Sequence, residues 1–189
     1  LHPRVRRQRQ MCIRDSLHSM GGIFALKVCV YAICKNESQF ADRFMDSMSE
    51  ADYVCVLDTG SSDDTVERLR ARGAIVGETV VSPWRFDTAR NESLGLIPAD
   101  ADICCAIDLD EQFHPGWRAA LERAWQPDTT RARYRYTWSF RPDGSEGMVF
   151  WADKIHKNGC YRWASPVHET LSYTCLLYTS PSPRDRSLS

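Results

Sequence analysis

Apolar residues along this chain fall into two kinds of run, and the two alternate. "FALKVCVYAIC" (Phe24 to Cys34) is almost continuously apolar and rich in β-branched and aromatic side chains, the pattern of a strand buried on both faces. The next segment, "SQFADRFMDSM", spaces Phe40, Phe44 and Met48 four apart, with Ser38 placed to cap it, and predicts a helix. A second buried strand, "DYVCVLD", leads through an acidic loop to "DDTVERLRARG", where Val66 and Leu69 recur among charges and Gly73 stands where a helix stops. The alternation continues with a strand at "AIVGETVV", a polar turn at "SPWRFD", a helix at "TARNESLGLI" and a strand at "ADICCAIDLD". This order predicts an α/β fold: a mainly parallel sheet with helices on both faces. Beyond a further helix, "HPGWRAALERAW", the alternating aromatics of "ARYRYTWSF" and "GMVFWADKIHK" predict antiparallel strands toward the C-terminus.

The two ends of the chain stand outside this pattern. "MCIRDS" (Met11 to Ser16) can be encoded by a DNA string whose reverse complement contains a frame reading "CLLYT" (Cys175 to Thr179). Inverted copies of one sequencing adapter flanking an insert produce that relation. Residues 1–16 and 175–189 are therefore read as translated adapter and set aside, leaving 17–174 as one domain that begins near Met20 and is truncated at its C-terminus. About 158 residues bury roughly two-thirds of their unfolded surface.

Setting the ends aside changes the charge. The whole chain has 24 basic and 25 acidic residues; the ends hold seven Arg and two Asp, so 17 and 23 remain. An excess of acid argues against a nucleic-acid partner, which requires a basic face. Six of the eight cysteines remain, mostly inside apolar runs and without C-x-x-C spacing, which reads as buried free thiols in a cytoplasmic protein. No apolar run reaches the ~20 residues of a membrane-spanning helix; peripheral membrane association stays open.

Candidate chemistry collects where strands end. "DTGSS" (Asp58 to Ser62) matches the run that carries a catalytic carboxylate in pepsin-like proteases, but those are all-β and need a second copy, and none occurs here. In an α/β frame the same loop lies at the C-terminal end of a parallel strand, where open sheets bind ligands. Asp58 can accept from the N–H of a base, Gly60 permits close backbone approach, and Ser61 begins the exposed amides of the next helix. A plain capped turn fits the loop as well. The fourth strand ends in "DLDE", and strand periodicity puts Asp108 and Asp110 on one side, spaced to grip a divalent cation that bridges a diphosphate.

Together "YAICKNES", "VLDTGSSDDT", "RFDTARNESL" and "DLDE" resemble a family 2 glycosyltransferase of the GT-A fold. The resemblance implies transfer of a sugar from a nucleotide diphosphate sugar, usually UDP-linked, with inversion and with Mg²⁺ or Mn²⁺. It places Lys35, Asn36 and Glu37 beside the nucleotide, Asp58 on the base, Arg90 and Asn91 near the nucleotide or its phosphates, Asp108 at the ribose or metal and Asp110 on the metal. "VHE" resembles the end of a subset of these enzymes, in which His168 completes the metal site. Glu169, next to it, is the candidate catalytic base, with Asp153 and Asp143 behind it. The acceptor, whether saccharide, lipid or peptide, is not indicated. Trp138, Trp151, Tyr161 and Trp163 read either as a sugar-stacking wall or as core. A nucleotidyltransferase on a related fold and a non-catalytic nucleotide- or metal-binding module are the alternatives; the first wants a glycine-rich phosphate loop, and "CKNES" has no glycine.

Overall fold

The computed structural model of the protein describes residues 8–10 and 26–174. Nine strands, four α-helices and one 3₁₀ turn run in the order β1 (Gln8–Gln10), β2 (Val28–Cys34), α1 (Ser38–Ser47), β3 (Tyr53–Asp58), α2 (Thr65–Ala71), β4 (Ile75–Glu78), α3 (Phe86–Ser93), the 3₁₀ turn Leu94–Leu96, β5 (Ile103–Ala106), α4 (Trp117–Ala124), β6 (Arg131–Thr137), β7 (Val149–Lys157), β8 (Tyr161–Ala164) and β9 (Thr170–Tyr173). The sheet order is β1-β6-β7-β5-β2-β3-β4, with β8 and β9 paired separately. Strands β5, β2, β3 and β4 are parallel, and β7 and β6 extend them antiparallel. This is the α/β class that the alternating runs predicted.

Burial explains the runs. Every residue of β2 is buried, because β3 and β5 flank it and both faces are covered. On one face Val28, Val30, Ala32 and Val56 meet Phe40, Phe44 and Met48 of the α1 region, Leu69 of α2, and Trp117 and Leu121 of α4. On the other, Cys29, Tyr31, Cys55 and Cys104 meet Tyr161, Trp163 and Leu171 of the β8–β9 hairpin, while Ala89 of α3 covers Ile33 and Leu57. All six cysteines of the described residues are buried and unbridged. Among those residues no helix is long and apolar enough to cross a membrane.

Several local expectations change. Ser38 is the first helical residue of α1 and not its cap; its N–H donates to Asp63 Oδ2 at 3.3 Å, a cap supplied by the next loop. Gly73 does end α2: it has φ +88°, and the bonds Gly73 N–H to Arg70 O and Ala74 N–H to Leu69 O make a Schellman closure. The predicted helix 88–97 begins two residues earlier and tightens into the 3₁₀ turn around Gly95. Asp108 and Asp110 lie beyond β5, in a turn closed by Glu111 N–H to Asp108 O at 3.0 Å and Asp108 N–H to Glu111 Oε2 at 2.9 Å, so strand alternation does not set their directions. The β8–β9 hairpin was not anticipated.

The stretches read as adapter lie outside the described residues, apart from Gln8–Gln10, which pair with Thr137, Tyr136 and Arg135 of β6. An open strand edge offers only backbone N–H and C=O groups and accepts any short extended segment. The pairing therefore carries no information about where that segment originates.

Candidate active site

A cavity of about 360 Å³ opens at the C-terminal ends of the parallel strands. Ile33, Cys34, Lys35 and Glu37 line it from the end of β2, Thr59 from β3, Trp84, Phe86 and Arg90 from the β4–α3 loop and α3, Asp108 and Asp110 from the turn after β5, and Glu169 from the β8–β9 turn. Of the residues expected from the sequence, Lys35, Glu37, Arg90, Asp108, Asp110 and Glu169 thus share one cavity.

Arg90 is its hub. Its side chain is 3% exposed and pairs through Nη2 with Asp108 Oδ1 and through Nε with Glu169 Oε1 at 3.3 Å. The guanidinium also lies 5.5 Å from the centre of the Trp163 ring. Burial alone would lower its pKa, but the charges of Asp108 and Glu169 more than offset this and raise it. Nη1 is buried with no hydrogen-bond partner among the described residues, a donor available to an anion. Lys154 Nζ stands 3.4 Å from the other oxygen of Asp108.

Behind Arg90 runs a buried chain of hydrogen bonds. Trp163 Nε1–H donates to the Tyr31 hydroxyl at 2.9 Å, and that hydroxyl lies 2.8 Å from His156 Nε2. His156 Nδ1 is 3.0 Å from the carbonyl of Lys157, which can only accept, so Nδ1 carries the proton and Nε2 accepts from Tyr31.

The loops after β2 and β3 are knitted together. Asn36 takes φ +53°; its N–H donates to Ser61 Oγ at 2.8 Å, and its Oδ1 accepts from Ser62 N–H at 2.7 Å. Glu37 N–H donates to Thr65 Oγ1 at 2.9 Å. Asp58 is 2% exposed and accepts from Gly60 N–H at 2.9 Å, Ser61 N–H at 2.8 Å, Ser61 Oγ and the Cys34 thiol. Burial pushes its pKa up, and the bonds from Ser61, Gly60 and Cys34 outweigh it, holding the carboxyl below the usual carboxylate range. A base reaching Asp58 has to displace one of these internal donors. Gly60 has φ +102° and open space around a would-be Cβ, so conformation, and not close approach, requires glycine there.

Asn91 faces away from the cavity. Its Nδ2 donates to Trp163 O at 2.8 Å and its Oδ1 accepts from Trp163 N–H at 2.9 Å, so the amide acts as a strand-like clamp holding the hairpin to α3. His168 is exposed with φ +56° and does not line the cavity. Among the described residues no three His, Cys, Asp or Glu side chains gather closely enough to hold a metal ion, so Asp108, Asp110 and His168 are not assembled as a set. Tyr161 and Trp163 are core, whereas Trp138 and Trp151 are 42% and 57% exposed on the β6–β7 ribbon. The cavity residues with no role expected from the sequence are Ile33, Cys34, Thr59, Trp84 and Phe86; Trp84 and Phe86 lie in a segment read as a polar turn, Phe86 also at the start of a motif segment.

The cavity is rich in oxygen donors, with both carboxylate oxygens of Asp108 already engaged by Arg90 and Lys154. Four carboxylates (Glu37, Asp108, Asp110, Glu169) face two cationic side chains (Lys35, Arg90) in one cavity, and oxygen ligands are what Mg²⁺ and Mn²⁺ take.

No family model matches the chain. Among solved structures it is similar to glucosyl-3-phosphoglycerate synthase from Mycobacterium tuberculosis. In one structure the identity is 30% over 51% of this chain and 39% of that one, with a TM-score of 0.43. In a complex of that enzyme with Mn²⁺, UDP-glucose and phosphoglyceric acid, the identity is 28% over 48% and 38% of the two chains, with a TM-score of 0.39. In a complex with Mg²⁺ and UDP, it is 30% over 44% and 33%, with a TM-score of 0.39. The chain spans about two-fifths or less of the length of these three structures.

Proposed function

We propose that this chain is the donor-binding part of a metal-dependent glycosyltransferase of the GT-A type, acting on a UDP-linked sugar with inversion. The observation that carries the reading is the meeting of the motif segments in one cavity. Lys35 and Glu37 from the end of β2, Arg90 from α3, Asp108 with Asp110 from the turn after β5, and Glu169 from the β8–β9 turn come from four separate segments.

In this reading Asp108 and Asp110 would hold Mg²⁺ or Mn²⁺, which would supply Lewis-acid stabilisation to a departing diphosphate. Arg90 adds its uncommitted Nη1 and Lys35 its ammonium to the same developing charge. Asn36 keeps the two loops beside the nucleotide in register, and Asp58 with Gly60 and Ser61 shapes the loop on the base side. Glu169 takes the acceptor proton; it leaves Arg90 as the guanidinium turns to the phosphates. His168 would reach the cation only after the β8–β9 turn rearranges. The acceptor is a saccharide, lipid or peptide. The six buried thiols support a cytoplasmic setting.

Calorimetry with UDP, with and without Mn²⁺, tests the donor site. Mn²⁺ is expected to strengthen UDP binding in the wild type and to do nothing for Asp110→Asn. Absence of UDP binding under both conditions rejects the reading. Binding without hydrolysis or transfer of a UDP-sugar would favour the non-catalytic module.

A further inference from the structure

Trp84 and Phe86 are large apolar side chains left 46% and 37% exposed, and both line the cavity. Their rings stand 5.2 Å apart at 80°, so together they present a corner, one ring face beside one ring edge. The segment carrying them is braced before any ligand arrives. Phe86 N–H donates to Pro166 O at 3.0 Å, and Arg85 binds Asp87 through Nε at 3.1 Å and Nη2 at 2.7 Å. Rings held this way lose little freedom when a partner stacks on them.

Their place along the cavity indicates what stacks. Phe86 and Arg90 are four apart in α3 and share a face of the helix, and Arg90 touches Asp108. The wall therefore runs from the carboxylates through the guanidinium to Phe86 and out to Trp84. The strands that launch the two ends, β5 and β4, stand three places apart in the sheet, roughly 14 Å at ~4.8 Å per step. A nucleoside diphosphate has the same order: charged diphosphate at one end, a flat ring with a stacking π-face at the other. The loop after β3 lies between them, on the side of the ring.

We propose that Trp84 and Phe86 form the stacking platform for the nucleobase of a nucleoside diphosphate, a contact separate from the cation site at Asp108 and Asp110. The proposal rests on the donor reading above, and its test separates the two. Uridine, UDP, UDP-glucose and inorganic pyrophosphate are titrated calorimetrically in the presence of Mn²⁺ into the wild type, Trp84→Ala and Trp84→Phe. Trp84 is exposed enough that both variants should keep the wild-type melting temperature.

The expected result is a loss of roughly 5- to 150-fold for uridine and UDP alike in Trp84→Ala, the range for one base–aromatic stack. Trp84→Phe should stay near the wild type, and pyrophosphate should bind equally to all three. Unchanged uridine and UDP affinity in Trp84→Ala overturns the proposal. So does a loss confined to UDP-glucose, which would put the sugar on the platform. A wild type that binds pyrophosphate but not uridine sinks the platform and leaves the cation site standing, whereas one that binds none of the four sinks both.

Discussion

Arg90 and Glu169 stand 79 residues apart in sequence and meet at 3.3 Å inside the cavity wall. The pair is asymmetric: Arg90 is almost wholly buried, while Glu169 keeps a side-chain exposure of 14%. Removing the guanidinium therefore strands carboxylates that still see some water. Arg90→Met should lower stability by about 3 kcal/mol, the low end for breaking a buried pair from one side. Urea unfolding measures it, and a loss under ~1 kcal/mol would mean that the hub is not a structural element.

His156 makes stability depend on pH. Burial, the largest cause, and the nearby charge of Arg131 lower its pKa to about 4 from 6.5, against the opposing bond to Lys157 O. The depressed value means that the folded protein holds the neutral ring, so the stabilisation is complete above pH ~6.5. As pH falls from ~6.5 to ~4 the unfolded chain binds a proton that the folded one refuses, and stability drops by roughly 3 kcal/mol before levelling off. His156→Gln offers the Tyr31 hydroxyl an acceptor and cannot titrate. Unfolding curves at pH 7 and pH 4.5 should converge for this variant relative to wild type; parallel behaviour of the two proteins would refute the assignment.

Asn91 should act on the hairpin and not on ligand. Asn91→Ala leaves both the N–H and the C=O of Trp163 without their side-chain partner, at a cost of about 1 to 3 kcal/mol. Amide exchange at Trp163 should quicken, with uridine affinity unchanged while the domain stays folded. Loss of uridine binding in a folded Asn91→Ala would return this residue to the nucleotide.

Gly60→Ala forces a side chain into a left-handed conformation and should cost about 1 to 3 kcal/mol although the space around it is open. Thermal unfolding that matches wild type would show that the loop can adopt another path.

A chain trimmed to residues 17–174 should melt within about 3 °C of the full one, a shift of ~1 kcal/mol for a domain of this size. Among the described residues it gives up the three-residue pairing of β1. A larger drop would show that the terminal segment belongs to the fold.

The parallel strands were legible because double burial leaves an uninterrupted apolar run, and β2, β3 and β5 each have one. The β8–β9 hairpin was not: its strands are four residues each, and the turn between them contains Pro166 and two non-glycine residues of positive φ, Ser165 and His168. The alternation of Tyr161 and Trp163 inward with Arg162 outward was its one visible sign. At the site, sequence revealed which residue types were present but not what would occupy them. Asn91 is spent on a backbone 72 residues away, and Asp58 on the thiol of Cys34 and its own loop. Trp84 and Phe86 had a signal, two aromatics in an otherwise polar turn, that marks an exposed ring with a use.

Helix α3 is held by contacts made much later in the chain, since Phe86 meets Pro166, Asn91 meets Trp163 and Arg90 meets Glu169. During synthesis the parallel strands can pair as soon as β5 emerges, yet the far wall of the cavity is still inside the ribosome. Until about residue 173 has left the tunnel, Arg90 has only Asp108 to answer its charge and the face of Tyr31 lies bare. The cavity therefore closes only after β9 has emerged, and a nascent chain stalled after β7 would have a nearly complete sheet with no closed site.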